Sequence, residues 1–169
     1  DTLELPNTIV LDPKPSANFS ATPLSGCASD DYICTDASSS NVTSWYWNFG
    51  DGGTSTQKNP TYNYIDTGYF KITLIVSVNS CKDTLEIDRY IYINPPVAKF
   101  LKEFDCLIPL QRTFVDKSIA PLTHVWDFGD GATSTDASPV HIYAAPGIYP
   151  VSLTVTNGAC THTAKDTLI

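Results

Sequence analysis

The feature that most constrains the fold of this chain is an internal repeat with a period of roughly 80 residues. The segment WNFGDGGTST at 47–56 returns as WDFGDGATST at 126–135, and prolines, tyrosines, glycines and cysteines downstream repeat at the same distance. A fixed period indicates copies of one folded unit in tandem. The chain therefore forms two units of about 80 residues each, a size near the lower limit for a self-sufficient core.

Strand patterns fill both copies, and no helical pattern is present. In GIYPVSLTVTN, residues 147–157, apolar and polar residues alternate, as they do at 68–78 in the first copy. This period of two predicts strands with one buried face. Many short strands separated by turn residues predict an all-β fold of two tandem antiparallel sandwiches.

The repeated decapeptide predicts a buried strand followed by a tight turn. Its two aromatic residues lie two positions apart, so both side chains point to one face and are expected in the core. The Asp-Gly pair that follows tolerates positive φ and closes hairpins. The residues assigned to this structural motif are Trp47, Phe49, Gly50, Asp51, Gly52, Trp126, Phe128, Gly129, Asp130 and Gly131.

Four of the five cysteines follow the repeat. Cys27 and Cys81 are separated by the same length of chain as Cys106 and Cys160. One disulfide in each domain is the simplest interpretation, with pairing across the domains as the alternative. A loop of this size would stabilise a domain by about 4 kcal/mol in the chain-entropy model. Disulfides of this kind predict an extracellular or cell-surface location.

The fifth cysteine, Cys34, is predicted to be a buried apolar thiol, because it aligns with Phe114 of the second copy.

The repeats also suggest the domain boundaries. Asp-Thr-Leu occurs at 1–3, 83–85 and 166–168, and we assign it to the last strand of each domain. Residues 1–15 are then a strand or linker from a preceding repeat, 16–94 are domain 1, and 95–169 are domain 2 with its last strand truncated. Two explanations stay open: the chain is part of a longer array, or the N-terminal strand completes domain 2 of a neighbouring subunit and builds filaments.

The segment WDFGDGATST together with SPVHIYAAPGIYPVSLTVTN resembles the polycystic kidney disease (PKD) domain family, which has an immunoglobulin-like β-sandwich fold. SGCASDDYICTDAS and FDCLIPLQRTFVDKS resemble the upstream strands of the same domain. Domain 1 departs from the pattern, with Asn63 assigned to the position of His141 and Phe70 to that of Tyr149. The resemblance implies extracellular tandem spacers or interaction modules, and the paired cysteines and acidity resemble surface adhesins of Bacteroidota.

Composition argues against two classes of partner. The net charge is −8 and basic residues are not clustered, whereas nucleic acids and anionic membranes attract a concentrated positive field. No apolar run approaches the roughly 18 to 20 residues that cross a bilayer, so no membrane insertion is expected.

The motifs that could carry chemistry are weak. The glycine-rich turn lacks the lysine and following helix of a phosphate loop. The turn offers one carboxylate, so calcium is only a minor expectation, to which Asp30 and Asp31 could contribute in domain 1. No histidine has zinc-ligand spacing, and His141 is expected to be structural. Asp51 and Asp130 occupy equivalent positions in two domains and cannot form a catalytic pair. We therefore expect no catalytic residues, no metal and no cofactor.

Two surface features remain. Aromatic side chains of domain 1 could stack on sugars, although packing at strand ends or at the domain joint is the simpler interpretation; they are Trp45, Tyr46, Tyr62, Tyr69 and Tyr92. The Asp-Thr-Leu copies resemble a bacterial O-glycosylation signal, which would modify Thr2, Thr84 and Thr167. Asn18 and Asn41 lie in sequons that matter only in a eukaryotic host.

The sequence thus predicts a non-enzymatic extracellular spacer of a surface adhesin, stalk or filament, whose partners are neighbouring repeats or subunits. One alternative is an accessory module that binds a polysaccharide or a surface protein. The other is a filament subunit assembled by strand donation.

Overall fold

A computed structural model describes residues 13–169, and every regular element in that range is a strand. The all-β prediction is confirmed. The strands are β1 (Phe19–Thr22), β2 (Ser25–Cys27), β3 (Tyr32–Asp36), β4 (Ser44–Asn48), β5 (Thr54–Ser55), β6 (Thr61–Tyr62), β7 (Gly68–Val78), β8 (Cys81–Asn94), β9 (Phe100–Asp105), β10 (Ile108–Asp116), β11 (Thr123–Asp127), β12 (Thr133–Ser134), β13 (Val140–Ile142), β14 (Tyr149–Thr156) and β15 (Thr161–Leu168).

Two sheets of domain 1 enclose its core. One has the strand order β1-β3-β6, and the other has the order β2-β8-β7-β4-β5. All pairs are antiparallel except β2 with β8, which runs parallel from Ser25 opposite Tyr92 to Cys27 opposite Asn94. The alternation along β7 buries its apolar face, as the period-two pattern predicts.

Domain 2 repeats this arrangement, except that its larger sheet lacks a counterpart of β2. Its sheets have the orders β13-β10-β9 and β12-β11-β14-β15. In domain 1 the chain leaves β1 after Thr22 to form the separate strand β2, whereas β9 continues unbroken to Asp105. The first strand of each domain therefore ends differently, although the cores are alike.

The motif aromatics lie at the centre of each core. Trp47, Phe49 and Trp126 have no exposed surface, and Phe128 is 2% exposed. Each indole N–H donates to a backbone carbonyl ten residues later, at 2.9 Å in both domains. Burial removes the ring from water, and this hydrogen bond satisfies its one polar group.

The turns after these strands need glycine. Gly50 and Gly129 have φ of 88° and 80°, in the left-handed region that other residues avoid. A side chain at Gly50 would also lie 2.5 Å from the backbone oxygen of Lys71 on the neighbouring strand. The turn therefore depends on both the backbone conformation and the missing side chain.

The two described Asp-Thr-Leu copies lie on the last strands of their domains, as predicted, but at different points. β15 pairs with β14 along all eight of its residues, from Thr156 opposite Thr161 to Tyr149 opposite Leu168, whereas β8 has 14 residues. Truncation of the last strand of domain 2 stays a prediction. Asp83–Leu85 stands near the start of β8, while Asp166–Leu168 stands at the end of β15. Residues 1–12, with the predicted donated strand and Thr2, lie outside the described range.

Candidate functional site

The turn of domain 1 holds its acid within the protein. Asp51 Oδ1 accepts a hydrogen bond from Gly53 N at 2.9 Å, and the Tyr62 hydroxyl donates to both carboxylate oxygens at 3.0 and 2.9 Å. The Tyr62 ring stacks on Phe49 with centroids 3.9 Å apart. Burial and the Asp51 carboxylate raise the pKa of Tyr62 to about 12, so its hydroxyl stays a donor. The acid organises the turn.

Domain 2 replaces the tyrosine by a histidine. Asp130 Oδ1 accepts from Ala132 N at 3.0 Å, and Oδ2 lies 2.7 Å from His141 Nε2. The imidazole stacks on Phe128 with centroids 4.2 Å apart. The hydrogen bond with His141 holds the pKa of Asp130 below its usual value, because it favours the carboxylate.

The structure corrects the alignment of this position. His141 and Tyr62 both lie eleven residues after their acid and on the same stacked ring, so Tyr62 is the counterpart of His141. The assignment of Asn63 to that position is wrong. The Asn63 amide instead donates at 2.8 Å to the backbone oxygen of Asp30 and to a carboxylate oxygen of Asp31.

The other histidines are also engaged in the fold. His124 Nε2 lies 3.0 Å from Asp116 Oδ2. His162 Nδ1 accepts the backbone N–H of Ala98 at 3.1 Å, and burial lowers the pKa of His162. Within residues 13–169, no three His, Cys, Asp or Glu side chains are grouped so that they could hold a metal. Calcium binding stays a prediction without a local cluster to carry it.

The aromatic candidates separate into packed and exposed side chains. Trp45 packs against the core of domain 1, and its Nε1 is buried without a hydrogen-bond partner. Tyr62 is held by Asp51, as described above. Tyr69 is 54% exposed and contacts Tyr92, with centroids 4.6 Å apart, while the Arg89 guanidinium lies 4.1 Å from the Tyr69 ring centre. Among these candidates, this last group and the separate Tyr46 present aromatic surface to a ligand.

The glycosylation candidates lie on strands. Thr84 lies on β8 opposite Ile75, Thr167 lies on β15 opposite Pro150, and both are exposed. Surface at both side chains is compatible with modification, which stays a prediction at both positions.

The predicted disulfide pairing is wrong in the structure. Cys27 of domain 1 is bonded to Cys160 of domain 2, with their Cα atoms 5.6 Å apart. Cys81 and Cys106 are free and exposed, and Cys34 is free and buried. The pairing across the domains, left open as the alternative, is the observed one.

Strand geometry explains why the first pair cannot form within domain 1. Cys27 lies opposite Asn94 at the end of β8, while Cys81 is the first residue of that 14-residue strand. At about 3.3 Å per residue the two ends are roughly 40 Å apart. A disulfide joins Cα atoms less than about 7 Å apart, so equal spacing in sequence does not bring these thiols together.

Domain 2 excludes its own pair in a similar way. Ala98, just before β9, contacts His162 near the start of β15, whereas Lys102 farther along contacts the backbone oxygen of Thr167 near the end of β15. The first strand thus runs away from Cys160, and Cys106 lies in the turn beyond its far end.

Local hydrogen bonds position both bonded cysteines. The N–H of Cys27 donates to Asp30 Oδ2 at 2.7 Å, and its carbonyl accepts from the Tyr32 hydroxyl at 3.2 Å. The N–H of Cys160 donates to Asn157 Oδ1 at 2.9 Å, and its carbonyl accepts from Thr156 Oγ1 at 2.9 Å. Both backbones are therefore fixed by their own domains, so the disulfide joins two ordered segments, the end of β2 and the turn before β15.

Apolar contacts continue this interdomain interface, by which we mean Cys27, Ser29, Asp66, Pro95, Val97, Lys99, Ile119, Asn157, Cys160 and Thr161. Val97 has no exposed surface and belongs to the buried cluster of domain 1, against which Ile119 also packs. The two residues exchange backbone hydrogen bonds of 3.2 and 2.9 Å. Domain 2 thus contributes side chains to the core of domain 1.

Polar contacts surround this apolar centre. Lys99 Nζ lies 3.1 Å from Asp66 Oδ2, and within domain 2 the Asn157 amide fixes the start of the domain by donating to the Pro95 carbonyl at 2.9 Å. The Ser29 hydroxyl donates to the Thr161 carbonyl at 3.3 Å. Backbone hydrogen bonding from Thr67, assisted by Lys99, lowers the pKa of Asp66. The domains are therefore joined by covalent, apolar and charged contacts.

Sequence reasoning missed these interface residues. A difference in residue type between the two copies could have indicated them. In domain 1, Ser39 N donates to Ser16 O at 3.0 Å. Ile119 and Val97 make the corresponding backbone contact in domain 2. Two polar residues of the first copy are thus apolar in the second. Such a change indicates a surface that becomes buried when the domains are joined.

Comparisons with known proteins identify similar domains. A family model described as PKD domain matches residues 12–90 and 103–169. Pre-pro-metalloprotease PrtV of Vibrio cholerae is 43% identical over 63 residues, which are 37% of this chain and 7% of the protease. Collagenase ColA of Bacillus cereus is 53% identical over 34 residues, 20% of this chain and 4% of the collagenase. The crystal structure of the PKD1 domain of Vibrio cholerae PrtV is 33% identical, covers 43% of this chain and 93% of that domain, and has a TM-score of 0.40.

Proposed function

Because this chain belongs to the PKD domain family, whose domain is a non-catalytic module, we propose that it is a non-enzymatic extracellular structural segment that acts as a stiff spacer in a bacterial surface or secreted protein. The interdomain interface is the observation that carries this proposal. A spacer must hold a distance, and a disulfide combined with a shared apolar core restricts bending of one domain against the other.

Charge and cysteine usage support the location. A disulfide persists in an oxidising compartment, and the net charge of −8 favours solubility over binding to anionic surfaces. Within the described residues, no helix is long and apolar enough to cross a membrane. The matched segment spans 7% of the length of PrtV, so its protease activity is not proposed for this chain.

Residual dipolar couplings test the stiffness directly. Couplings from both domains of the oxidised protein should fit one common alignment tensor, because the interface fixes their orientation. The variant Cys27→Ala with Cys160→Ala should fit less well to one tensor, and the matched control Cys81→Ala with Cys106→Ala should fit as the unaltered protein does. Two independent tensors in the oxidised protein, with the disulfide intact, would exclude a stiff spacer.

A second candidate function is binding of a polysaccharide, and the exposed group of Tyr69, Tyr92 and Arg89 favours it. Aromatic rings stack on the apolar faces of sugars, and the guanidinium can donate hydrogen bonds. In pull-down with insoluble cellulose or chitin, Tyr69→Ala should abolish retention, while Tyr46→Ala should retain it. Trp45→Ala would test core packing instead. Equal retention of Tyr69→Ala and the unaltered protein would rule this site out.

The third candidate, filament assembly by strand donation, depends on residues 1–12 and stays a prediction. Sizing at high concentration tests it, since a subunit that donates a strand forms concentration-dependent oligomers even when every thiol is blocked.

A further inference from the structure

The two exposed thiols occupy the same repeat positions as the two bonded ones. Cys106 lies one repeat period after Cys27, and Cys81 lies one period before Cys160. The free pair is thus one repeat out of step with the bonded pair. Suppose that another such domain packed against either end of the chain in the way that domain 2 packs against domain 1. The exposed thiol at that end would then face the corresponding cysteine position of the added domain.

Structural equivalence supports this interpretation for the second position. Cys160 follows the turn of the β14–β15 hairpin, where Gly158 has a φ of 89°. Cys81 follows the turn of the β7–β8 hairpin, where Asn79 has a φ of 52°. Both cysteines therefore stand at the corresponding point of the same hairpin. Cys81 is exposed because it lies on the end of domain 1 that points away from domain 2.

The first position is equivalent in connectivity. Cys27 and Cys106 both lie between the first strand of their domain and the next long strand, β3 in domain 1 and β10 in domain 2. Cys106 occupies a tight turn in which the N–H of Leu107 donates to Asp105 Oδ1 at 2.8 Å. This turn lies at the end of domain 2 that points away from domain 1.

Exposed apolar side chains surround the free thiol at this end. Phe104, Leu107 and Ile108 flank Cys106 in sequence and are 71%, 89% and 45% exposed. A group of large exposed apolar residues around a turn is unusual for a surface without a partner. Asp105 beside Cys106 and Lys82 beside Cys81 would also bring opposite charges together.

From these observations we propose that Cys106 of one copy forms a disulfide with Cys81 of a second copy, joining the copies end to end through a repetition of the interdomain interface. The inference extends the proposed structural function, on which it rests, by naming the partner and the bond. A row of domains linked in this way would carry one disulfide at each joint.

The bond forms by two exchanges with a low-molecular-weight disulfide such as oxidised glutathione. The thiolate of Cys106 displaces one glutathione thiol and leaves a mixed disulfide. The Cys81 thiolate of the second copy then attacks the cysteine sulfur and releases the second glutathione thiol. Each cysteine loses one proton, the two cysteines are oxidised together by two electrons, and one oxidised glutathione is reduced.

Non-covalent contacts at this joint are weaker than at the interface within the chain. Ser16 and Ser39 occupy the positions of Val97 and Ile119, and Ala145 corresponds to Asp66, so the apolar centre and the ion pair are reduced. The joint between copies should therefore depend on its disulfide and separate when that bond is reduced.

Complementary single-cysteine variants test the proposal. Cys81→Ser retains only Cys106 of the exposed pair, and Cys106→Ser retains only Cys81. In a glutathione redox buffer, each variant of the 169-residue chain alone should stay a monomer of 18.4 kDa, and their equimolar mixture should give a dimer that reductant dissolves. The unaltered chain should give a ladder of higher oligomers. Cys34→Ser is the matched control and should give the same ladder.

Peptide mapping by mass spectrometry then identifies the bonds. We expect a Cys81–Cys106 peptide in the mixed dimer, with Cys27–Cys160 retained in both copies. Symmetric dimers of either variant, no linkage in the mixture, or a Cys27–Cys81 bond would overturn the proposal. If these linkage tests fail while the couplings of the monomer still fit one common alignment tensor, only the end-to-end joint is rejected. The proposal of a stiff spacer is then retained.

Discussion

Removing the Cys27–Cys160 disulfide should cost stability in both domains, because the bond joins residues whose sequence separation is 133. In the chain-entropy model, a loop of that length lowers the free energy of folding by about 5 kcal/mol. If domain 2 unfolds while domain 1 stays folded, the loop from the joint at Pro95 to Cys160 is shorter, and the contribution is about 4 kcal/mol. Either value is a large share of the stability of small domains.

Urea denaturation followed by tryptophan fluorescence measures this loss. The variant Cys27→Ala with Cys160→Ala should lose several kcal/mol, summed over its transitions, relative to the oxidised protein. The control Cys81→Ala with Cys106→Ala removes two exposed thiols and should change the free energy of unfolding by no more than about 0.5 kcal/mol. A loss of about 4 kcal/mol in the control would instead indicate disulfides within the domains and refute the observed pairing.

Three further predictions concern single residues. Gly50→Ala should destabilise domain 1 more than Gly52→Ala in thermal unfolding. Of the two glycines, only Gly50 has a neighbouring backbone atom within contact distance of an added side chain. Equal losses of stability in the two variants would contradict this close backbone contact. Asp130→Asn should lower stability at neutral pH. The pKa of Asp130 is lower in the folded than in the unfolded state, so the stability that its carboxylate contributes is full above the unfolded-state pKa and is lost as pH falls through the folded-state pKa. The unfolding free energies of the two proteins, measured by urea titration, should therefore converge under acidic conditions. A difference that stays constant with pH would exclude the linkage. Burial raises the pKa of Cys34 to about 11. Iodoacetamide should therefore modify the two exposed thiols of the native protein and leave Cys34 unmodified until urea unfolds the chain. Rapid modification of Cys34 in the native protein would place its thiol outside the core.

Much of the fold was accessible from the sequence because the deciding signals are local. Alternation along 147–157 predicted β14, and the same pattern in the first copy predicted β7. The paired aromatics and the Asp-Gly turn predicted the hairpins, since side-chain periodicity and positive φ are properties of a few consecutive residues. The sequence could not separate exposed from packed aromatic candidates, because the exposure of Tyr69 and the packing of Trp45 depend on neighbours distant in the chain.

The alignment error at His141 has a similar origin. Counting along the repeat from the acid gives Tyr62 as its counterpart, and the structure shows both rings stacked on the same phenylalanine position. A hydroxyl and an imidazole nitrogen both bond the turn carboxylate, so the role is the same in the two copies although the residue type differs.

By itself, the sequence determined the period, the strands, the turns and the two cores, because each follows from residues close together or from a pattern that repeats. The tertiary structure alone decided which cysteines meet. The spacing of the cysteine pair is the same in both copies. However, Cys81 begins β8, whereas Cys27 on β2 pairs with the other end of β8, and the orientation of domain 2 brings Cys160 to Cys27. A disulfide forms between thiols that are near in space, and that proximity is set by strand length and domain orientation rather than by distance along the chain.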